Sequence, residues 1–143
     1  AIRYMLKEKE DGGVTQKKGN EIVFLEYTHL PVVLNGWIFA FFGLYDMSLC
    51  DSSYTNEVEK AVRTLKKELN KYDNGYWSLY DEKGMIASPF YHNLHIALLE
   101  ALYVLTEDEI FKEYQEKFEA YKDSWINAKR AFIVKAVQKI KEK

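Results

Sequence analysis

The chain has 143 residues, of which 48% are hydrophobic, and its 20 basic and 22 acidic residues give a net charge of -2. This length suits one domain or a piece of one, with enough apolar residues to build a core. The near balance of charge excludes a general attraction to nucleic acid or to an anionic membrane. The single cysteine, Cys50, cannot form a disulfide within the chain. The sequence begins at Ala1 rather than at a methionine, so we expect a processed or truncated chain.

The N-terminal region predicts a short β-hairpin. Gly12-Gly13 and Lys18-Gly19-Asn20 are turn signals on either side of Val14. The run Glu21–Leu25 is rich in β-branched and aromatic residues, which is typical of a strand. Residues 1–10 are weakly patterned and fit either the end of a helix or a strand.

The next stretch predicts a central helix from about Val32 to Asp46. It is apolar on nearly every side, so we expect it to be buried all round. Its run of about 14 uncharged residues is too short to span a bilayer, which takes ~20. Asn35 and Gly36 lie in the first turns, where a buried helix needs partners for its free N–H groups. We therefore expect a binding site at this end of the helix.

An amphipathic helix is predicted from about Tyr54 to Tyr72, after an irregular polar segment from Ser48 to Asn56. Its apolar residues recur at three- and four-residue spacing. They are Val58, Ala61, Val62, Leu65 and Leu69. Asp73-Asn74-Gly75 is a helix-stop signal. A second hairpin is predicted in residues 76–88, with its turn at Asp81-Glu82-Lys83-Gly84.

Three more helices are predicted towards the C-terminus. The first runs from about Tyr91 to Leu105, after Pro89. The second runs from about Glu107 to Asp123 and begins at a cap-like Thr followed by acidic residues. The third runs from about Trp125 to Glu142 and is amphipathic and mildly basic, so we expect it to cover an edge of the fold or a partner subunit.

An internal repeat aligns Asn35–Tyr45 with Asn93–Tyr103. In each copy a hairpin precedes an apolar helix, and an amphipathic helix follows. This order is typical of an α/α toroid, in which inner helices pack around an axis and outer helices cover them. We predict an all-α fold, a partial α/α toroid with short β-hairpins before the inner helices. Because two repeats do not close a toroid, residues 1–143 are expected to form a single domain that is a fragment of a larger one.

Four ordered blocks resemble the C-terminal domain of the D-glucuronyl C5-epimerases. They are Glu26-Tyr27 with Val33-Leu34-Asn35-Gly36, Gly43-Leu44-Tyr45-Asp46, Tyr80-Asp81, and Tyr91-His92 with His95-Ile96. Phe111-Lys112-Glu113 falls where the next helix of the family begins. The resemblance covers roughly residues 12–122, so the helix from about 125 to 142 is an addition.

The resemblance implies an α/α toroid whose members invert C5 of glucuronic acid within a polysaccharide such as heparosan. It implies catalytic roles for Tyr27, Tyr80 and Tyr91, with Glu26 beside the first.

Two departures alter the expected binding of substrate. Lys83 stands where the family has an arginine after its Tyr-Asp pair, and Ser88-Pro89-Phe90 stands where it has Arg-Trp-Asp. Fewer arginines imply weaker or different binding of a sulfated or carboxylated sugar.

Inversion at C5 removes a proton α to a carboxylate and returns one to the opposite face. It therefore needs two acid–base groups, and a cation or hydrogen-bond donors at the carboxylate, but no redox cofactor. An unperturbed tyrosine has a pKa of about 10, so a nearby positive charge must favour its phenolate. We predict Tyr80 and Tyr91 as the pair, with Lys83 and His92 as the nearest cations in sequence. Since the chain has 11 tyrosines, packing is the alternative role.

Five residues are predicted to bind substrate: Glu26, Lys83, His92, Asn35 and Trp77. Three of them have a plainer alternative. Glu26 fits a cap or a solvated loop acid, Asn35 fits a helix terminus or a buried hydrogen bond, and Trp77 fits the core. His92 and His95 share a helix face, but no third ligand has matching spacing, so no metal site is predicted.

Three functions stay open on the sequence alone. The chain is a C5-epimerase-like catalytic fragment, an inactive helical carbohydrate-binding or scaffold domain, or a polysaccharide lyase that removes the same C5 proton and expels the C4 substituent. The expected partner is a polysaccharide or oligosaccharide that contains uronic acid, with no nucleic acid and no membrane span. Apolar flanks of an unclosed toroid also predict a homo-oligomer.

Overall fold

The computed structural model describes residues 2–141 and is mostly α-helical with one small β-hairpin. The helices are α1 (Ile2–Met5), α2 (Leu34–Cys50), α3 (Thr55–Glu68), α4 (Pro89–Thr106), α5 (Glu109–Asp123) and α6 (Trp125–Lys141). The strands are β1 (Thr15–Lys18) and β2 (Glu21–Phe24), and single 3-10 turns lie at Lys9–Asp11, Ser52–Tyr54 and Leu69–Tyr72. The predicted mostly helical class is confirmed.

The chain forms two compact units, Ala1–Leu69 and Asn70–Lys143. The first contains the hairpin with α1, α2 and α3, and the second contains α4, α5 and α6. Membership of both units in a single toroidal domain stays a prediction. No helix within residues 2–141 has the length and apolarity needed to cross a membrane.

The predicted hairpin is confirmed. β1 and β2 are antiparallel, with Thr15 opposite Phe24 and Lys17 opposite Ile22. The connection is a tight turn in which Gly19 takes a φ of +61°, a left-handed conformation that glycine adopts without a steric cost. Ile22 and Phe24 alternate into the core, as period-two side chains of a half-buried strand do.

A buried threonine joins α3 to the hairpin. The Ile22 backbone N–H donates to Thr64 Oγ1 at 3.0 Å, and the Thr64 hydroxyl donates to the Lys60 carbonyl at 2.8 Å. Both bonds lie within the first unit, and the first serves a backbone N–H that would otherwise be buried unpaired. The predicted helix over 54–72 is confirmed, with a 3-10 turn over Leu69–Tyr72 as its last part.

The central helix α2 differs from its prediction at both ends. It starts at Leu34 and continues to Cys50, through residues that were expected to be irregular. No Gly or Pro lies between Leu44 and Asp51 to stop it, and the Ser48 hydroxyl donates to the Tyr45 carbonyl at 2.7 Å, as helical serines do.

The expectation that α2 is buried all round is wrong for the described residues. Leu34, Ile38 and Phe41 are fully buried, but Phe39 is 52% exposed and Leu49 is 70% exposed. The described elements that pack on α2, which include α1, β2, the 3-10 turn Ser52–Tyr54 and α3, leave these two side chains exposed. The apolar sequence of α2 therefore predicts that the helix is hydrophobic, but it does not predict how many elements pack around it.

The helices of the second unit begin close to their predicted positions. α4 begins at Pro89, where Ser88 is the N-cap. It ends at Thr106, followed by the C-cap Glu107 with a left-handed φ of +55°, and Asp108 caps α5 by accepting from the Ile110 N–H. The predicted cap at Thr106 is thus displaced by two residues. α6 is confirmed to Lys141, and its predicted end at Glu142 lies outside the described residues.

Asp73 links the turn before the second hairpin to α5. Its side chain is 7% exposed, and it accepts from Lys117 Nζ at 2.5 Å, the Tyr121 hydroxyl at 3.2 Å and the Gly75 N–H at 2.8 Å. Burial, followed by the Asp73 charge, raises the pKa of Tyr121. A nearly buried carboxylate is stable here because a cation and two further donors satisfy it.

We expect Thr64→Val to lower the free energy of unfolding by about 1 to 3 kcal/mol, because the buried Ile22 N–H loses its acceptor. Urea denaturation measures this loss, and hydrogen exchange at the Ile22 amide locates it. Thr64→Ser is the matched control, since it keeps the hydroxyl. Unchanged protection of the Ile22 amide in Thr64→Val would contradict the assignment.

Candidate functional site

The two predicted catalytic tyrosines of the second unit are in contact. The ring centroids of Tyr80 and Tyr91 lie 4.7 Å apart with an angle of 62° between the ring planes, an edge-to-face arrangement. Both side chains are partly buried and pack against the buried residues Trp77, Ile86 and Ala87. The structure therefore brings together residues that lie in two different blocks of the sequence.

A tight turn holds Tyr80 in place. Leu79 and Ile86 form an antiparallel bridge, and the Tyr80 N–H donates to the Met85 carbonyl at 2.6 Å. Within the turn, Asp81 Oδ1 accepts from the Lys83 and Met85 N–H groups at 2.9 and 3.1 Å. The predicted second hairpin is thus confirmed as a turn with a single bridge rather than as two strands.

The start of α4 holds Tyr91. Ser88 Oγ accepts from the Tyr91 N–H at 3.4 Å, and Pro89 occupies the first helical position, where a missing N–H costs nothing. Phe90 is 69% exposed, and its ring lies edge-on to Tyr91 at 5.3 Å. The Ser88-Pro89-Phe90 segment therefore acts as a helix start.

Behind the tyrosines lies a buried stack of Trp77 on His92. Their ring centroids are 3.7 Å apart at an angle of 14°, and the Trp77 indole N–H donates to the Ala87 carbonyl at 3.0 Å. Trp77 is 3% exposed and His92 is 0% exposed, so neither ring presents a face to a sugar in this structure. Trp77, Tyr80, Tyr91 and His92 together form the aromatic cluster, in which Trp77 and His92 support the two tyrosines.

The hydroxyl of Ser78 bridges two buried histidines. Ser78 Oγ lies 2.7 Å from His92 Nδ1 and 2.9 Å from His95 Nδ1. His92 Nε2 lies 3.0 Å from the Phe118 carbonyl, which can only accept, so Nε2 carries the proton of the neutral ring. His92 Nδ1 then accepts from both the N–H and the hydroxyl of Ser78. His95 Nδ1 must in turn donate to Ser78 Oγ.

Burial keeps both imidazoles neutral. It lowers the pKa of His92 to about 4, against a smaller opposite effect of the Phe118 carbonyl. Burial and then the neighbouring His92 lower the pKa of His95 to about 3. His92 therefore carries no charge near pH 7, and the expectation that it supplies a positive charge to a tyrosine is wrong. Its role in the structure is to position Trp77 and Ser78.

The cations near the tyrosines come instead from α6. Lys135 Nζ lies 5.8 Å from the centre of the Tyr80 ring, and the Arg130 guanidinium lies 3.9 Å from the centre of the Tyr76 ring. Lys83, the predicted cation, is exposed on the turn. Sequence reasoning missed Lys135. The spacing of the apolar residues in α6 indicated only that this helix covers an edge of the fold, and no local signal pairs Lys135 with Tyr80.

Three predicted site residues lie in the first unit. Tyr27 is 48% exposed and its ring contacts His29 edge-on, with centroids 6.2 Å apart. Glu26 is exposed, and a Cβ at position 36 would lie 2.6 Å from its Oε2, so Gly36 lets the carboxylate approach the first turn of α2. Asn35 is buried, and its Oδ1 accepts no hydrogen bond from the part of the chain that the structure describes.

Among residues 2–141, no group of three or more His, Cys, Asp or Glu side chains is arranged to hold a metal ion. His92 and His95 share Ser78 rather than facing a common third ligand.

These features define a class of protein. It has a mostly helical fold in which a hairpin-like turn and the start of a helix present two tyrosines. The family model described as the D-glucuronyl C5-epimerase C-terminus matches residues 1–120, and the chain belongs to this family. The match confirms the resemblance found in the sequence and extends it to the N-terminus. α6 lies beyond the matched residues.

Individual relatives agree with the family match. A D-glucuronyl C5-epimerase from Caenorhabditis elegans is 27% identical over 144 residues, which cover 85% of this chain and 23% of the relative. An uncharacterized protein from Methanocaldococcus jannaschii is 34% identical over 92 residues, which cover 62% of this chain and 29% of the relative. The chain thus spans about a quarter of the length of the relatives that it matches.

We expect stability to fall as the pH is lowered from 7 to 5. The unfolded histidines have a pKa of about 6.5, well above the values of about 4 and about 3 in the folded protein, so the unfolded state binds more protons. Each histidine then lowers the free energy of unfolding by up to about 1.4 kcal/mol per pH unit below pH 6.5. Above pH 6.5 neither histidine changes the free energy of unfolding with pH.

Urea denaturation at pH 7, 6 and 5 measures this effect. His29→Gln is the matched control, because His29 is exposed and its removal should leave the pH dependence unchanged. Ring signals of His92 or His95 that titrate near pH 6.5 in the folded protein would show that the network is not neutral as described.

Proposed function

We propose that the chain carries part of the catalytic apparatus of an epimerase that inverts C5 of a uronic acid within a polysaccharide. The observation that supports this most directly is the contact between Tyr80 and Tyr91, which the family resemblance names independently as catalytic. A family model that covers residues 1–120 supports the same reaction class.

The contact restricts how the two tyrosines act. With ring centroids 4.7 Å apart, no sugar ring fits between them, so a substrate approaches their hydroxyl ends. One phenol then serves as the acid–base group at C5, and the other donates a hydrogen bond that stabilises its phenolate. A second acid–base group has to reach the opposite face of the sugar.

The substrate is proposed to be a polymer that contains uronic acid. The relative from Caenorhabditis elegans is named a D-glucuronyl C5-epimerase, which supports glucuronic acid as the first sugar to test. Exposed Glu26 and Lys83 suit contacts with sugar hydroxyls and carboxylates. Asn35 suits a contact with a donor on the substrate, because its buried Oδ1 is a vacant acceptor within residues 2–141.

We expect the chain to exchange the C5 proton of a glucuronic-acid polymer with solvent, and we expect Tyr80→Phe or Tyr91→Phe to slow this exchange by about 100-fold or more, as loss of a general acid or base does. Incubation in deuterated water followed by NMR of the polymer measures deuterium at C5. Tyr4→Phe is the matched control, since Tyr4 is 58% exposed and lies outside the aromatic cluster.

The products separate the three functions. Deuterium at C5 with an intact polymer supports the epimerase. Chain cleavage with an unsaturated sugar at the new end identifies a lyase. Binding of the polymer with neither change, repeated with a longer chain that contains these residues, leaves the carbohydrate-binding domain as the function and removes the catalytic proposal.

Self-association is a separate expectation. α6 exposes several large apolar side chains, and such a surface favours contact with a second chain. These side chains are Trp125, Ile126, Phe132, Ile133, Val137 and Ile140. We expect light scattering to detect a species heavier than the 16.9 kDa chain, and Ile133→Lys to shift it towards the monomer. A monomer at all concentrations tested would contradict this expectation, and Lys139→Gln on the same helix is the control.

A further inference from the structure

Helix α6 lies outside the family match but packs on the aromatic cluster. The match ends at residue 120, before α6 begins. Ala131 of α6 is 3% exposed and belongs to the same buried group as Trp77 and Ile86, and Val134 packs against this group. Gln138 follows on the same face, because residues three, four and seven positions apart share one side of a helix. An element additional to the family match therefore lies against the residues that hold the predicted catalytic tyrosines.

The side-chain amide of Gln138 pairs with the backbone that follows the turn after Tyr80. Gln138 Oε1 accepts from the Ile86 N–H at 2.9 Å, and Gln138 Nε2 donates to the Gly84 carbonyl at 2.9 Å. These two backbone groups flank Met85, and a residue of a neighbouring β-strand bonds the same two groups of a strand. The bridge of Leu79 and Ile86 joins the two sides of the turn to each other, whereas Gln138 joins the turn to a helix.

Met85 lies between two sets of hydrogen bonds. Its carbonyl accepts from the Tyr80 N–H at 2.6 Å, and its N–H donates to Asp81 Oδ1 at 3.1 Å. The residues on either side of Met85 are the ones that bond to Gln138. Because the Tyr80 backbone is bonded to Met85, the position of this segment on α6 also sets the position of Tyr80.

Tyr91 is held by a different set of contacts. It lies in the first turn of α4, and its N–H donates to the N-cap Ser88. The ring centroids of Tyr80 and Tyr91 are 4.7 Å apart, so the two rings touch. A displacement of the turn would therefore change the contact between the rings while Tyr91 stays in place.

We propose that Gln138 is a positioning residue for Tyr80, and that it holds the turn so that the two predicted catalytic rings stay in contact. This proposal rests on the proposed function and assigns a part of the site to α6, which the family match does not include. Gln138 acts through the backbone of Met85 and Tyr80 and needs no contact with the substrate. Loss of its amide removes the partner of the Ile86 N–H and of the Gly84 carbonyl, and the turn then shifts or loosens.

The first measurement is the nuclear Overhauser effect between the Tyr80 and Tyr91 rings, in chains labelled at tyrosine and without substrate. Tyr80→Phe and Tyr91→Phe assign the signals. We expect Gln138→Met, which keeps the length of the side chain but removes both bonds, to weaken this effect. Hydrogen exchange at the Ile86 amide should accelerate by about 10-fold, the factor that corresponds to one hydrogen bond. Gln115→Met is the matched control, because Gln115 is a half-buried glutamine of the same unit on another helix.

The second measurement separates positioning from stability. We expect kcat for deuterium exchange at C5 to fall by about 10-fold in folded Gln138→Met with KM unchanged, because a displaced acid–base group slows the chemical step and leaves binding of the polymer intact. Gln138→Glu keeps the acceptor for the Ile86 N–H but not the donor to the Gly84 carbonyl, so it should give a smaller loss in both measurements. It also serves as the test variant if Gln138→Met folds poorly.

An unchanged contact between the two rings in both variants overturns the role of Gln138, even where the Ile86 amide exchanges faster, because Gln138 then only stabilises the turn. A higher KM with an unchanged kcat indicates contact with the substrate and also overturns it. A weakened contact between the rings, in a protein whose unaltered chain exchanges no C5 proton with any glucuronic-acid polymer, leaves the positioning assignment standing and overturns the proposed function instead.

Discussion

The arrangement of the second unit depends on the hydrogen bonds of Ser78. Its hydroxyl bridges two imidazoles that are both 0% exposed, and its N–H donates to one of them. Burying two histidines is costly unless their rings stay neutral and most of their polar atoms are paired, and within residues 2–141 only His95 Nε2 among their ring nitrogens has no partner. The Phe118 carbonyl fixes the tautomer of His92. Because the Ser78 hydroxyl then donates to His92, its oxygen has to accept from an N–H at His95 Nδ1, which fixes the tautomer of His95. Because Ser78 lies two residues before Tyr80 and His92 directly follows Tyr91, the same bonds fix the segments that bring the two phenols together.

The hydrophobic pattern was sufficient to predict the helices but not their surroundings. The predicted and observed bounds of α4, α5 and α6 differ by about two residues or less, because cap and stop residues are local signals. The burial of α2 was overestimated, since hydrophobicity does not say how many neighbours a helix has. The tyrosine pair was found through a resemblance between blocks, which carries three-dimensional information that periodicity lacks. Lys135 was missed because its proximity to Tyr80 arises only from the packing of α6.

The resemblance implies an arginine at the position of Lys83 and Arg-Trp-Asp at the positions of Ser88-Pro89-Phe90, and the structure gives the second departure a clear local role. Ser88 caps α4, Pro89 is its first residue and Phe90 lies beside Tyr91, so this triplet defines the start of the helix. The cations that lie over tyrosine rings in the second unit include Arg130 and Lys135 of α6, a helix with five basic and no acidic residues.

The two copies of the internal repeat show why a shared pattern need not mean a shared site. α4 has a serine N-cap, whereas the N-cap position of α2 is Val33, which offers no side-chain acceptor. At the start of α2 the Glu26 carboxylate instead lies close to Gly36, where a negative charge interacts favourably with the helix dipole. Asn35 is buried there with a vacant acceptor, which costs about 1 to 3 kcal/mol, but its counterpart Asn93 is exposed. The two helix starts therefore satisfy their polar groups in different ways, although their sequences align.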